Sequence, residues 1–345
     1  MVSAEERHVI AFGCNEIGGS TQDQLLVRWS DTENAAQWIP QATNSAGGYR
    51  LSVGTYIVGA VKTRSEILIW TDNSVYSMRW TGSPYTFSFT LLGTGTSITA
   101  PNAAVSINDN TYWMSHNQFF YYDGRIQPME CPVADYVFNR LNLAQADKIY
   151  GFTNSHYDEI GWLYPSGDEC DSYVIYNYKE GCWYYGSIAR TAWLDRGPSY
   201  GPLATSDDSY LYDQETGFDD GSTDPPSPIV AYIQSSPLES PEGGIGEHFQ
   251  FVSRIIPDVT FRNSSVPSPS VTMTVKMQDY PGEDFSQTYP SSVTKTASVP
   301  IEQFTKQAFI RLRGRSAIFR CESSGLGTTW RLGTPRIEIR PDGLR

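Results

Sequence analysis

Two carboxylates, Asp31 and Glu33, lie within the stretch WSDTENAAQW, which has a tryptophan at each end. Paired carboxylates can cleave a glycosidic bond, one as acid and the other as base or nucleophile, when they lie about 5 to 9.5 Å apart. The acid also needs an apolar pocket that raises its pKa, and the residues around this pair are mainly polar. The stretch therefore predicts a turn, and we predict no catalytic residue in it.

Other patterns for catalysis or metal binding do not occur in the sequence. The four histidines show no HxH or HExxH spacing, the five cysteines show no CxxC spacing, and no GxSxG is present. We therefore predict no metal, no cofactor and no nucleophile, and we expect free thiols, although Cys170 and Cys182 could face each other across a hairpin. The acidic turns 167–171 and 219–224 offer oxygen ligands for calcium, but neither follows the EF-hand pattern.

A basic stripe is predicted near the C-terminus. Arg311, Arg313 and Arg315 alternate with Ile310 and Leu312, so the three arginines share one face of a strand. Arginine pairs well with phosphate, which makes nucleic acid one candidate partner. However, the chain has a net charge of −13, and we expect no stacking aromatic residue within the stripe. We predict instead that the arginines pair with carboxylates of the same or a neighbouring subunit, as a candidate subunit interface.

Charge is divided unevenly along the chain. Residues up to 247 contain 12 Lys and Arg against 30 Asp and Glu, and residues from 248 onward contain 13 against 8, which gives net charges of −18 and +5. Both could be ordinary solvated surfaces. Alternatively, the acidic part repels nucleic acid, or the two parts of neighbouring copies attract each other.

The elements that carry these residues are predicted to be strands. Aromatic residues make up 13% of the chain, Gly and Pro number 29 and 21, and charged residues reach only 18%, which favours short strands and tight turns. Polar turns that begin at Thr71, Ser115 and Ser206 lie 44 and then 91 residues apart. A period of about 45 residues is typical of a four-stranded propeller blade. We predict an all-β chain with a β-propeller of about five to six blades over residues 1–224.

One segment of the predicted propeller is expected to be helical. Val133, Val137, Leu141 and Ala144 recur at helical spacing after Pro132. We therefore predict a single helix, inserted between blades, over residues 131–149.

A boundary is predicted where Pro and Ser become frequent, near residues 224–228. Residues 225–345 again show strand alternation, with Met273, Val275 and Met277 on one face. We predict a C-terminal β region, either a β-sandwich or sheet that completes the propeller. The sequence contains no run of about 18 apolar residues, so we predict no membrane-spanning helix.

The turn at the start of the chain resembles the Asp-box of sugar-cleaving β-propellers. Ser30, Asp31 and Trp38 have the residue types of that motif, although Trp38 arrives one residue late. Even in those enzymes the Asp-box lies away from the active site. We predict that Ser30 and Asp31 close a structural turn, with Trp29 and Trp38 packed beside it as aromatic clamps.

Several longer stretches together resemble one family, the packaged-DNA stabilisation or tail-nozzle proteins of short-tailed bacteriophages. The resemblance extends from about residue 8 to the C-terminus. The stretches that carry it are QLLVRWSDTENAAQWIP (24–40), IWTDNSVYSMRW (69–80), DYVFNRLNLAQADKIYG (135–151), YVIYNYKEGCWYYGSIARTAWLDRG (173–197) and FRCESSGLGTTWRLGTPRIEIRPDGLR (319–345).

The resemblance implies a propeller subunit that assembles into a ring, commonly a hexamer, below the portal and its adaptor. Such a ring extends the tail channel, helps retain the packaged genome and allows its ejection, and it offers attachment surfaces for tail fibres or a needle. It implies a virion tail protein, made in the host cytoplasm, with no enzymatic activity, no membrane partner and only transient, non-specific passage of double-stranded DNA. The acidic first part would weaken contacts with phosphate, as such passage requires.

Two other classes of protein remain as alternatives. A propeller glycosidase or depolymerase would act on host surface sugar, and a carbohydrate-binding tail protein would adhere without catalysis. A ring of about six copies would favour the nozzle, whereas cleavage of host polysaccharide would favour the enzyme. Binding to host cells by the isolated protein would favour the adhesion module.

Overall fold

The computed structural model describes residues 1–3, 6–196, 201–239, 248–280 and 295–343. Contacts divide the chain into two compact units, unit 1 (Met1–Glu215) and unit 2 (Thr216–Arg345), whereas the sequence suggested a boundary after residue 224. Over the described residues the protein is nearly all β, as predicted, with thirty strands, one α-helix and one 3-10 segment. No helix in these ranges is long and apolar enough to cross a membrane.

Unit 1 is a series of antiparallel sheets in which each strand pairs with the next one along the chain. The first sheet contains β1 (Val2–Ser3), β2 (His8–Phe12), β3 (Leu26–Trp29) and β4 (Gly47–Arg50). The second contains β5 (Ile57–Lys62), β6 (Ile67–Thr71), β7 (Ser74–Gly82) and β8 (Thr86–Thr94). The third contains β9 (Ala104–Ile107), β10 (Asn110–Met114), β11 (Phe119–Tyr122) and β12 (Ile126–Met129).

Two further sheets complete unit 1 after a short helical segment. The fourth sheet contains β13 (Tyr150–Asn154), β14 (Glu159–Pro165), β15 (Cys170–Asn177) and β16 (Cys182–Ser187). The fifth has three strands, β17 (Ala192–Leu194), β18 (Leu203–Thr205) and β19 (Leu211–Asp213), with β19 at its edge.

A tryptophan occupies the fourth position of the second strand in three consecutive sheets. Trp70 on β6, Trp113 on β10 and Trp162 on β14 are all fully buried in one hydrophobic core. The rings of Trp70 and Trp113 meet edge to face at 5.5 Å, and Trp162 packs on Phe119 of the third sheet at 4.8 Å. These indoles therefore join the second, third and fourth sheets into one body.

The predicted single helix over residues 131–149 is wrong. The α-helix α1 (Ala134–Arg140) ends before Leu141, whose backbone is extended, and a separate 3-10 segment (Leu143–Lys148) follows. The break occurs because the side chain of Asn142 accepts a hydrogen bond from the backbone N–H of Ala144, which caps a new start rather than continuing the helix. Val137 and Leu141 are nevertheless buried, as the helical spacing predicted.

Unit 2 contains two larger sheets and two short strand pairs. The four-stranded sheet has the order β22 (Ala231–Gln234), β28 (Ser316–Ser323), β25 (Ser270–Gln278) and β26 (Lys295–Glu302). The three-stranded sheet has the order β27 (Ala308–Gly314), β23 (Gln250–Ile256) and β30 (Arg336–Pro341). The short pairs are β20 (Asp219–Asp220) with β21 (Ser227–Pro228), and β24 (Val259–Thr260) with β29 (Arg331–Leu332).

The two larger sheets of unit 2 contribute to one hydrophobic core. Met273, Val275 and Met277 of β25 are buried on the predicted face, together with Val252 and Ile255 of β23. In β23, β27 and β30 the side chains that alternate with the buried ones face outward. The three-stranded sheet therefore has one buried and one accessible face.

The tryptophan core gives a test of stability. Trp162→Ala is expected to destabilise unit 1 by about 3 to 5 kcal/mol, because it removes a buried aromatic ring and leaves a cavity. It also removes the hydrogen bond from the indole N–H to the carbonyl oxygen of Ala103, at 2.9 Å. Urea unfolding followed by circular dichroism measures the change.

The matched control is Tyr85→Ala, since this aromatic residue in the turn between β7 and β8 of the second sheet is 79% exposed. It is expected to change stability by no more than about 0.5 kcal/mol. Equal unfolding midpoints for both variants would contradict the role of Trp162.

Candidate functional site

Ser30 and Asp31 lie at the start of the long loop between β3 and β4. Oδ1 of Asp31 accepts hydrogen bonds from the backbone N–H of Ser45 at 2.9 Å, from the Ser45 hydroxyl at 2.7 Å and from the backbone N–H of Thr32 at 2.9 Å. The Ser30 hydroxyl accepts from the backbone N–H of Val9 at 3.0 Å. The two side chains therefore tie the beginning of the loop to its end and to β2.

The two tryptophans beside this turn have different surroundings. Trp29 is buried, meets Phe87 edge to face at 5.2 Å, and donates its indole N–H to the carbonyl oxygen of Ser45 at 2.8 Å. Trp38 is half-buried and donates its indole N–H to the carbonyl oxygen of Ala35 within the loop, at 2.8 Å. Trp29 is thus part of the core, and Trp38 shapes the loop.

The loop encloses an open, polar hollow of about 370 Å³. It is lined by Asp31, Asn34, Ala36, Gln37, Gln41, Thr43 and Asn44. Asp31 is the only carboxylate in this lining, because the side chain of Glu33 pairs with Arg7 instead. The hydrogen bonds from Ser45 also hold the pKa of Asp31 below its ordinary value. A single carboxylate that stays ionised lacks the acid partner that glycoside hydrolysis requires.

The predicted arginine stripe lies on the outward face of β27 and just beyond it. Arg311 is exposed, whereas Nε of Arg313 pairs with Asp342 of the same chain at 2.5 Å. The guanidinium groups of Arg313 and Arg315 lie over the ring of Phe249, at 4.1 and 4.7 Å from its centre. The structure therefore supplies Arg313 with a carboxylate partner within its own chain.

The expectation that no aromatic residue stacks in the stripe is wrong. Phe249 comes from the chain just before β23, which pairs with β27, and Phe309 lies two residues before Arg311 with 71% of its side chain exposed. Strand pairing brings Phe249 beside Arg313 and Arg315, although about 60 residues of sequence separate them.

The neighbouring strands extend the stripe into a wider surface. Phe251 of β23 pairs with Arg313 on one side and Arg340 of β30 on the other, and Arg254 pairs with Phe309 and Glu338. Because paired residues point to the same side, these arginines share the accessible face of the three-stranded sheet. We call it the basic face; its members are Arg254, Arg311, Arg313, Arg315, Arg336, Arg340, Phe251, Phe309, Glu338 and Asp342.

Within the part of the chain that the structure describes, the basic face holds six arginines and two acidic residues, so these carboxylates neutralise part of its charge. Glu338 pairs with both Arg254, at 3.0 Å, and Arg340. Arg311 and Arg336 make no hydrogen bond or ion pair with the described parts of the chain. Sequence analysis missed Arg336 and Arg340, although RIEIR in β30 has the same alternation of arginine with apolar residues as IRLR in β27.

A carboxylate pair that the sequence did not suggest lies in unit 1. The side-chain amide of Asn154 donates to Oε2 of Glu159 at 3.4 Å and to Oε1 of Glu215 at 3.2 Å. The Tyr184 hydroxyl donates to the other oxygen of Glu159 at 2.6 Å. Burial raises the pKa of both carboxyl groups, and the charge of Glu215 raises the pKa of Glu159 further. Both oxygens of Glu159 are thus occupied by donors of the protein itself.

The residues that could bind a metal are dispersed. The described residues contain no group of three or more His, Cys, Asp or Glu side chains that could hold an ion. Asn154 and two glutamates supply fewer oxygen ligands than the six to eight that calcium takes. All five cysteines are free thiols, with Cys170 buried and Cys182 exposed.

Comparisons with known proteins give only weak likenesses. No protein-family model matches the chain, and no curated protein matches it. A chain of the S. cerevisiae core factor aligns with 92% of the present protein, at 8% identity and a TM-score of 0.35. The alignment covers 57% of the core-factor chain. A glycoside hydrolase aligns over 92% of this chain and 91% of its own, with 10% identity and a TM-score of 0.27. At these scores neither likeness supports a function.

The loop contacts of Asp31 predict a pH-dependent loss of stability. Asp31→Ala should lower the thermal unfolding midpoint of the protein at pH 7, because three donors lose their acceptor. Since the folded-state pKa is lowered, the contribution of Asp31 is fully present above its unfolded-state pKa of about 3.9 and is lost as pH falls through the folded-state pKa. The wild type and the variant should therefore converge in acid.

Thermal unfolding followed by circular dichroism across pH checks this expectation. Glu33→Ala is the matched control, because it removes an exposed carboxylate of the same loop whose ion pair with Arg7 contributes little. Equal midpoints for Asp31→Ala and the wild type at pH 7 would overturn the assigned role.

The Glu159 and Glu215 pair predicts the opposite pH dependence. A carboxyl group with a raised pKa binds a proton more readily in the folded state, so stability falls as pH rises from the ordinary value of 4.5 through the raised value. Glu215→Gln removes this ionisation and keeps an oxygen that can accept from Asn154. The variant should be more stable than the wild type at pH 7, and the difference should vanish below about pH 4.5.

The measurement is urea unfolding at several pH values, with Glu180→Gln as the control, because Glu180 is an exposed glutamate in the turn between β15 and β16. A Glu215→Gln variant that is less stable than the wild type at pH 7 would show that the pair does not repel.

Proposed function

We propose that this chain is the subunit of a ring-shaped tail nozzle of a short-tailed bacteriophage, a structural virion protein without enzymatic activity. In this proposal the sheets of unit 1 are blades of a β-propeller and the two larger sheets of unit 2 form a β-sandwich. The ring, a hexamer, extends the DNA channel below the portal and adaptor, and tail fibres or a needle attach to it.

The observation that carries the proposal is the regular series of sheets in unit 1. Four consecutive four-stranded antiparallel sheets follow one another along the chain, and three of them place a buried tryptophan at the same position of the second strand. These tryptophans, Trp70, Trp113 and Trp162, are 43 and 49 residues apart, which is close to the length of one propeller blade. Such a repeat is a scaffold that leaves its loops available for assembly.

The side chains that could have done acid–base chemistry support a structural role. Asp31 holds a loop through three hydrogen bonds, and both oxygens of Glu159 accept hydrogen bonds from the protein itself. A catalytic carboxylate needs an oxygen that can reach the substrate, which Glu159 lacks, and Asp31 lacks the second carboxylate that glycoside hydrolysis requires. The alternatives named above, a propeller glycosidase or a carbohydrate-binding tail protein, gain no support from these residues.

The charge of unit 1 supports a channel through which DNA slides. Unit 1 has 12 Lys and Arg against 24 Asp and Glu, a net charge of −12. A surface of the same sign as phosphate weakens non-specific binding to DNA. We therefore place the acidic surface of unit 1 toward the lumen of the proposed ring.

The test is the assembly state of the purified protein. We expect negative-stain images of closed rings with a central channel, and a mass near six times that of the 38.5 kDa chain. A protein that stays monomeric or forms only dimers at high concentration would contradict the proposal. Release of reducing ends from host polysaccharide would also contradict it and would favour a depolymerase.

A further inference from the structure

The basic face of unit 2 has the composition of a protein–protein contact surface. It combines six arginines with Phe309, which is 71% exposed, and Phe251. Arginine and aromatic side chains are enriched at protein interfaces, where lysine is depleted. The guanidinium groups of Arg313 and Arg315 are already held over Phe249, so little side-chain freedom would be lost when a partner binds.

The charge of this face excludes pairing with itself. Among the described residues its six arginines and two carboxylates give an excess of four positive charges, and two such faces in contact would repel each other. A two-fold interface requires one surface to meet an identical surface. A partner for the basic face must therefore offer a different, acidic surface.

Unit 1 contains an acidic surface with exposed apolar groups at the edge of its fifth sheet. Asp207, Asp208 and Asp213 are exposed along β19 and the turn before it, and they flank Tyr210 and Leu211, which are 68% and 63% exposed. We call these five residues the acidic edge. The preceding sheets have four strands each, whereas the fifth has three, and β19 is its last strand in the described residues. An edge strand has backbone groups available for a further contact.

We propose that the basic face of one copy binds the acidic edge of the next copy, with Arg311 and Arg336 opposite the aspartates and Phe309 against the exposed apolar pair. This inference rests on the proposed function, because it assigns the contact that would hold the ring together. The two surfaces carry charges of opposite sign, and each has exposed apolar side chains. A contact between two different surfaces repeats from copy to copy and closes into a ring when the rotation permits.

Nucleic acid fits the basic face less well than a second copy does. The whole chain has a net charge of −13, which repels a polyanion at long range. The acidic edge, by contrast, is supplied by the same chain at the same concentration in every assembly. Binding of DNA to this face is therefore an outcome that would overturn the proposal.

The experiment is a charge exchange in the full chain. Arg311→Glu with Arg336→Glu reverses the basic face at the two arginines that have no ion pair among the described residues, and Asp207→Lys with Asp213→Lys reverses the acidic edge. Each pair is expected to raise the concentration for half-assembly at least about tenfold, because like charges would then meet. All four substitutions in one chain exchange the signs and should restore assembly toward that of the wild type.

Matched controls keep the same change of net charge at other exposed positions. Arg262→Glu with Arg331→Glu serves for unit 2, and Glu16→Lys with Asp147→Lys serves for unit 1. Sedimentation velocity over a range of concentrations measures assembly, circular dichroism verifies folding, and fluorescence anisotropy with labelled duplex DNA measures nucleic-acid binding.

The outcomes separate this inference from the proposed function. Rings that survive both charge reversals overturn the contact and leave the nozzle proposal standing. Open chains that the reversals dissolve sustain the contact and overturn the ring. Loss of DNA binding on reversal of the basic face, with assembly unchanged, identifies nucleic acid as the partner and overturns the inference. A quadruple variant that assembles no better than either double variant also overturns it.

Discussion

The burial of equivalent indole rings is the interaction on which unit 1 depends. Each of three consecutive sheets is too small to bury both of its own faces, so each must pack against a neighbour. Trp70, Trp113 and Trp162 meet this need from the same strand position, and their rings reach into the adjoining sheets. With the sheets fixed in this way, the loops at their ends are free to differ in length and charge, as the long loop after β3 does.

The two units use charge in different ways. Unit 1 is acidic overall, and some of its carboxylates have partners in the same unit: Asp31 holds a loop, and Glu159 and Glu215 share the side-chain amide of Asn154. Unit 2 is nearly neutral, yet strand pairing concentrates its arginines on one face of a three-stranded sheet. A surface of one sign on each unit favours contacts between different surfaces over contacts between identical ones.

The sequence was informative where neighbours in the chain are also neighbours in space. Aromatic and turn residues predicted the all-β fold, and helical spacing identified the buried Val137 and Leu141, although the capping side chain of Asn142 divides that segment in two. Alternation in β27 identified the arginine stripe. The stacking of Phe249 on this stripe depends on the pairing of β23 with β27, which residue spacing within either strand does not encode. The same limit applies to Glu159 and Glu215, which are distant in sequence but both accept a hydrogen bond from the side-chain amide of Asn154.

Cross-linking between isotopically distinct copies shows whether the basic face of one copy binds the acidic edge of the next. Phe309 is replaced by a photo-reactive phenylalanine analogue in a light-isotope copy, which is mixed and assembled with heavy-isotope wild type before irradiation and mass spectrometry. If these two surfaces meet, we expect cross-links from position 309 of light chains to residues 207–213 of heavy chains. Cross-links confined to single chains, or directed to other parts of the partner, would contradict the assignment of these two surfaces to one repeated contact.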